Sequence, residues 1–364
     1  MTIYDFAVVG AGIAGASLVA ELAAHARVLL IEAEDRPGYH ATGRSAAFWE
    51  QCYGGPEIVP LTLASGAYLR EHGFLSQRGA LYIGRAEDRD LLDKFVARFG
   101  DTGAEFERLG RARLEAMIPG LRREWVEAIW EPACADIDVA GLHQHYLALG
   151  RRRGVIQAMR SRVVKAHREQ GVWRLECDAG PTFAAGTLVS AAGAWADTVA
   201  RLAGVEPLGI QPLRRTVAQL RTDPTPPASL PLVLDIAGQF YFKPEAGRLW
   251  LSPHDEAMSE PCDAAPEELA VAEAIARFET VTDWRVAAVE RRWAGLRSFA
   301  PDRLPVYGFD PRAENFAWFA GQGGYGIQTA PAAARLTAQL LLGLPRDEMT
   351  RELDAGLYAP DRLI

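Results

Sequence analysis

YDFAVVGAGIAG, residues 4–15, is the stretch that decides the fold. Residues 4–9 are short, apolar and β-branched toward their end, the pattern of a strand buried on both faces. Small and apolar residues then continue to about His25 as a helix. VLLI, residues 28–31, makes a second strand closed by Glu32. Gly10 permits the tight turn, Gly12 lets backbone approach a pyrophosphate, and Gly15 lets the helix pack on the strand. The helix N-terminus offers free N–H groups and positive potential to the phosphates. Glu32, about 20 positions after Gly10, is placed to accept hydrogen bonds from a ribose diol. Strand, turn, helix, strand and acid in this order predict a Rossmann-type dinucleotide-binding unit in an α/β chain.

The rest of the composition frames that unit. The chain has 364 residues, enough for two domains sharing an interface. Hydrophobic residues are 49% and charged residues 24%, an ordinary balance for a globular protein. A net charge of −8 argues against broad nucleic-acid binding, which needs a basic surface. Cys52, Cys134, Cys177 and Cys262 have no zinc or redox spacing, so a reduced, cytoplasmic protein is expected. MTIYDFAVVGAG lacks the basic and apolar regions of a signal peptide. No apolar run reaches the ~20 residues of a transmembrane helix, which leaves a peripheral contact with the inner membrane open. His143 and His145 do not share a helix face, and no metal site is expected.

Three further segments point to the cofactor. PGYHATGRSAAF, residues 37–48, reads as a turn and a short helix starting near Thr42. Residues 187–195, TLVSAAGAW, read as an apolar strand ending in small residues. Residues 316–320 read as a strand leading into GQGGYGIQT, residues 321–329, and a helix with Pro331 in its first turn. Gly321, Gly323 and Gly326 spell a second GxGxxG, but no strand with an acidic end follows, so a second Rossmann unit is not expected.

With ADIDVAGLHQHYL (135–147), AAGAWADTVARLAGV (191–205), FYFKPEAG (240–247) and WAGLRSFAPD (293–302), these segments resemble the FAD-dependent D-amino-acid oxidase and dehydrogenase superfamily. Glycine and sarcosine oxidases belong to it, and within it the segments resemble those of the D-arginine dehydrogenases. The resemblance implies non-covalent FAD held by Gly10, Gly12, Ile13, Ala14, Gly15, Glu32 and Ala33, with Thr42, Gly43, Arg44 and Ser45 along pyrophosphate and flavin. It implies Val164 beside the adenine, and Ala192, Gly193 and Trp195 closing over the cofactor. Gly323, Gly324, Tyr325, Gly326, Ile327 and Gln328 would border the flavin, where a helix N-terminus stabilises the negative charge of the reduced ring.

The resemblance also implies a carboxylate clamp: Arg297, Tyr241 and Arg215, with Arg214 the other register for the second cation. Tyr53 would line the pocket, and Tyr325 would lie beside flavin and substrate; Arg297 would also touch the cofactor. Alternation along 240–242 puts the Tyr241 side chain opposite Phe240 and Phe242. Two positions depart from the pattern. Phe48 stands where the relatives have a histidine, and Ala80 or a neighbour stands where they have a glutamate facing a cationic side chain. With Trp49 beside Phe48, a neutral or apolar side chain is expected, although Glu50 could serve a cation.

The expected architecture is a discontinuous FAD domain, 1–76, 140–210 and 298–364, with a mixed α+β substrate domain, 77–139 and 211–297. The expected reaction is oxidation of the CH–NH2 bond of a D-amino acid by hydride transfer to flavin N5. Oxygen, a quinone or a carrier would reoxidise the flavin. A secondary-amine or 2-hydroxy-acid dehydrogenase, or an FAD-binding electron-transfer subunit, are the alternatives.

Overall fold

A computed structural model describes residues 2–178 and 180–364. Met1 and Ala179, which fall in the expected 1–76 and 140–210 segments, lie outside the described residues. The fold is α/β. Its first sheet has eight strands and is built on the opening stretch. Ile3–Val9 lies between Val28–Ile31 and Thr182–Ser190, parallel to both. Thr182–Ser190 in turn carries Phe316–Ala320 in parallel. All four residues of Val28–Ile31 are buried, as a strand covered on both faces requires.

Helix Ile13–Leu22 ends three residues before the expected His25. Ala23 to His25 turn back on its last carbonyls and bring the chain to the second strand. Helix Ala330–Leu342 packs beside it, with proline in its first turn and Gly343 as a left-handed C-cap. Buried residues of both helices join Phe6, Val8 and Leu30 in one core. Two elements near the cofactor segments differ from expectation. The segment at Thr42 is only a 3-10 turn, Thr42–Arg44. The strand expected over 187–195 runs instead from Thr182 to Ser190, followed by a 3-10 turn at Gly193–Trp195.

The second sheet has ten strands. Its spine is the long antiparallel pair Gln211–Asp223 and Arg285–Phe299. Gln322–Gly323, from the second glycine run, pairs with Ser298 and Phe299 and ties that loop to this sheet. Register here decides which side chains meet. Leu213 faces Arg297 and Arg215 faces Gly295 across the pair. Period-two alternation therefore puts Arg215 and Arg297 diagonally on one face and Arg214 on the other. Among the described residues, no helix is long and apolar enough to cross a membrane.

Candidate active site

One cavity of about 540 Å3 runs from the opening glycines to the face that carries Arg215 and Arg297. Its far end is the turn after the first strand. Gly10 has φ +105°, and a Cβ there would lie 2.5 Å from the Ala191 carbonyl oxygen, so only glycine fits. A Cβ on Gly15 would collide with the Gly10 carbonyl, which is why helix and strand can touch. Glu32 accepts hydrogen bonds from Ala11 N–H at 2.8 Å and Glu34 N–H at 2.9 Å. Those bonds fix the carboxylate at the cavity wall and leave lone pairs for a diol. Thr42 Oγ1 accepts from Ile13 N–H at 2.9 Å and brings the 3-10 turn against the helix start.

Most of the expected cofactor residues line this cavity. Gly10, Gly12, Ile13, Ala14, Glu32, Ala33, Thr42, Arg44, Ser45 and Val164 do so from the first half of the chain. Ala192, Gly193, Trp195, Gly323, Gly324, Gly326 and Ile327 do so from the second. Four others do not. Gly15 and Gly43 act behind the wall, where Gly43 N–H donates to Gly38 to close a turn. The Gln328 side chain is buried against Glu50 and Thr62, away from the cavity. The Tyr325 hydroxyl donates to the Arg303 carbonyl, and its ring packs edge-on against Tyr53 and Phe299. Tyr325 and Gln328 therefore support the wall instead of facing a ligand. Arg44 lines the cavity with its guanidinium held by Asp263 and by the Ala264 and Ala294 carbonyls.

The near end holds the arginines of the expected clamp. Arg297 Nη1 donates to Tyr53 Oη at 2.6 Å, and Nη2 donates to Glu256 at 2.6 Å. Its Nε is buried with no partner among the described residues. Arg215 donates to the Asp255 carbonyl at 2.9 Å and to Glu256 at 3.4 Å. Arg303 also donates to Glu256, at 3.0 Å. Three guanidiniums thus share one carboxylate; Arg303 is 52% exposed and screened by water, which leaves the buried Arg215 and Arg297 one counter-ion between them. Arg215 and Arg297 are 8% and 13% exposed, so that excess charge is poorly hydrated and suits a small anion. Arg214 settles the register: it points away and pairs with Asp255 and Glu267.

Tyr241 lines the cavity while Phe240 and Phe242 enter the core behind the sheet. Phe48 lies edge-on to Tyr241 at 6.0 Å, and with Leu234 they form an apolar wall. Ala80 is fully buried behind that wall, and Trp49 donates to the Thr62 carbonyl within the first core. Neither borders the cavity, so the reading of Trp49 as a pocket residue is corrected.

Among the cavity residues that the sequence missed or left aside, two carry ionisable groups that matter here, His254 and Glu50. His254 has φ +58°, rests edge-on against Tyr241, and has Nδ1 2.9 Å from the Gly238 carbonyl. Burial, then Arg215 and Arg297, push its pKa down to about 3. It is therefore neutral and adds no third cation to the site. No motif marks it; only its approach to the two arginines does. Glu50 also lines the cavity, fully buried beside Glu131, with Oε1 unpartnered among the described residues. The Glu131 carboxylate accepts from the Gln51 and Cys52 N–H groups.

The glycine cradle, the anchored Glu32 and the continuous path to the clamp fit an extended dinucleotide with its reactive end near Arg297. The model of the FAD dependent oxidoreductase family matches residues 5–340. The chain belongs to that family. FAD is its cofactor. A Bifunctional protein ThiO/ThiG from Synechocystis sp. is 27% identical over 360 residues, 94% of this chain and 52% of that protein. The chain thus spans about half the length of that relative. The crystal structure of glycine oxidase from Geobacillus kaustophilus matches with a TM-score of 0.84 at 23% identity, covering all of both chains. That of L-proline dehydrogenase from P. horikoshii matches with a TM-score of 0.84 at 21% identity, over 99% of this chain and 97% of the other. Both structures share the fold of this family member.

Two expected outcomes follow from the cavity of this oxidoreductase. Glu32→Gln should weaken FAD binding more than it slows turnover, because its carboxylate sits at the opening turn and not at the clamp. Titration of apoprotein with FAD, followed by kinetics at saturating FAD, checks this; a collapse of turnover with unchanged affinity would give Glu32 another role. The second concerns pH. Burial raises Glu131 to about 7, and burial with the Glu131 charge raises Glu50 well above its ordinary value. Unfolded, both groups titrate near 4.5, so between that pH and 7 the folded chain keeps protons the unfolded chain has lost. Stability then falls as pH rises, by up to about 1.4 kcal/mol per pH unit for each retained proton. Glu50→Gln removes one of the two acids, so its melting temperature should fall less from pH 5 to 8. Parallel curves for the two proteins would contradict the pairing.

Proposed function

We propose that this family member oxidises the CH–NH2 bond of a D-amino acid to the imino acid, with a neutral or apolar side chain favoured over a cationic one. The observation that carries the reading is the clamp: two buried guanidiniums facing the cavity, one with an unpartnered Nε, and a single shared counter-ion. A substrate carboxylate beside Arg215 and Arg297 would restore charge balance. Tyr241 and Tyr53 add hydroxyls to the same end of the cavity. The preference for a D-amino acid and the likeness to D-arginine dehydrogenases rest on the FYFKP and WAGLRSF segments.

Here the protein's part is positional. Holding the carboxylate at two arginines on adjacent strands fixes the α-carbon, and such fixation matters because reacting atoms must approach to about 3–3.5 Å. FAD, when bound, supplies the two-electron acceptor for the α-hydrogen. The substrate ammonium must first lose a proton so that its lone pair can form the imine. A neutral His254 favours that end of the site by withholding a further positive charge. Phe48, Leu234 and Tyr241 exclude water from the side-chain end. Water hydrolyses the released imino acid to a 2-oxo acid and ammonia, and oxygen, a quinone or a carrier takes the electrons. We further propose that the FAD domain comprises 1–76, 140–210 and 298–364, and that 77–139 and 211–297 form the substrate domain.

Product analysis tests the reading. With an artificial electron acceptor, D-leucine should yield 4-methyl-2-oxopentanoate and ammonia in equal amounts, and L-leucine should not. Turnover of 2-hydroxyisocaproate or N-methylglycine in place of every D-amino acid would move the activity to the hydroxy-acid or secondary-amine class.

A further inference from the structure

Glu50 is a buried acid with no ion-pair partner among the described residues. It is 2% exposed, lines the cavity, and leaves Oε1 without a partner among the described residues. The groups that act on it or its neighbours are Glu131, Cys52, Cys134, Asp136 and Arg78. Among the described residues, the charge that raises Glu50 is that of Glu131. Cys134, on which Glu50 acts, packs with Leu234, Tyr241 and Phe48, the wall that a substrate side chain would meet.

We propose that Glu50 is a specificity-determining residue that recognises the far end of a neutral, polar substrate side chain, one carrying an amide or hydroxyl. This rests on the D-amino-acid reading above. The two carboxyls compete for protons, and Glu131 keeps its charge best because two backbone N–H groups point at it. Glu50 then holds its proton and presents both a donor and an acceptor to the cavity. An amide or hydroxyl matches both. A purely apolar side chain leaves the acid unsatisfied. A cationic side chain would have to shed its own water and displace the Glu50 proton, so an ion pair gained there is largely offset.

The test compares flavin reduction by D-glutamine, its near-isostere D-norleucine and D-lysine, in wild type, Glu50→Gln and Glu50→Leu. Wild type should favour D-glutamine over D-norleucine by about 5- to 10-fold in kcat/KM, the worth of one satisfied buried hydrogen bond. Glu50→Gln, which keeps a donor and an acceptor, should retain that preference within about 3-fold. Glu50→Leu should lose or invert it. D-lysine should be poor in all three. An unchanged ratio in Glu50→Leu overturns the proposal. So does a wild-type preference for D-lysine that disappears in Glu50→Gln, because Glu50 would then act as an anion. If some D-amino acids reduce the flavin but these ratios fail, the pocket assignment fails alone. If none does, the D-amino-acid reading fails and takes this proposal with it.

Discussion

Arg297→Met is expected to lower kcat/KM for any carboxylate substrate by about 30- to 5,000-fold, since truncating one member of a buried charge pair costs ~2–5 kcal/mol. The size follows from what Arg297 holds. It orients the Tyr53 hydroxyl, shares Glu256 with Arg215 and Arg303, and carries the unpartnered Nε. Methionine keeps the aliphatic bulk on the sheet face and removes all of this. Glu256 still has two arginines, so the loss should fall on the substrate more than on folding. Steady-state kinetics of a folded, FAD-loaded variant give the answer, and wild-type values would remove the clamp from the account.

Gly12→Val should abolish FAD binding in a chain that still folds. Gly12 has φ −69° and ψ −175°, a backbone any residue adopts. A Cβ there would lie 3.1 Å from Thr42 Oγ1, with nothing else close. The added methyls would stand in the cavity mouth where helix start and 3-10 turn converge, the place a pyrophosphate needs. Gly15 differs, since any Cβ there strikes the Gly10 carbonyl and separates helix from strand. The pair distinguishes cofactor space from fold. A full flavin complement in Gly12→Val, with native melting behaviour, would contradict the pyrophosphate assignment.

The sequence carried the opening unit well because each step has a local cause. A buried strand, a turn that only Gly10 can make and an acid closing the next strand can be read without knowing the fold. Tyr241 was legible for the same reason: alternation between Phe240 and Phe242 separates pocket from core. Arg215 and Arg214 were not separable, because their choice depends on register against Gly295, which is set across the sheet. Tyr325 and Gln328 sit in a motif that touches the cavity, yet their side chains turn toward Arg303 and Thr62. Spacing fixes where a backbone goes, and packing fixes where a side chain points. His254 carries no motif, since its role arises only from a left-handed turn beside two distant arginines.

Anaerobic mixing of the purified holoenzyme with a panel of D-amino acids is the most direct test of the central claim, that this chain binds FAD and a carboxylate-bearing amine in one cavity. The yellow flavin absorbance should bleach without added electron donor or partner protein, fastest with neutral side chains and not at all with the L-enantiomers. A flavin that stays oxidised with every amino acid, and bleaches only when a reduced partner protein is supplied, would contradict the account and make the chain an electron-transfer subunit.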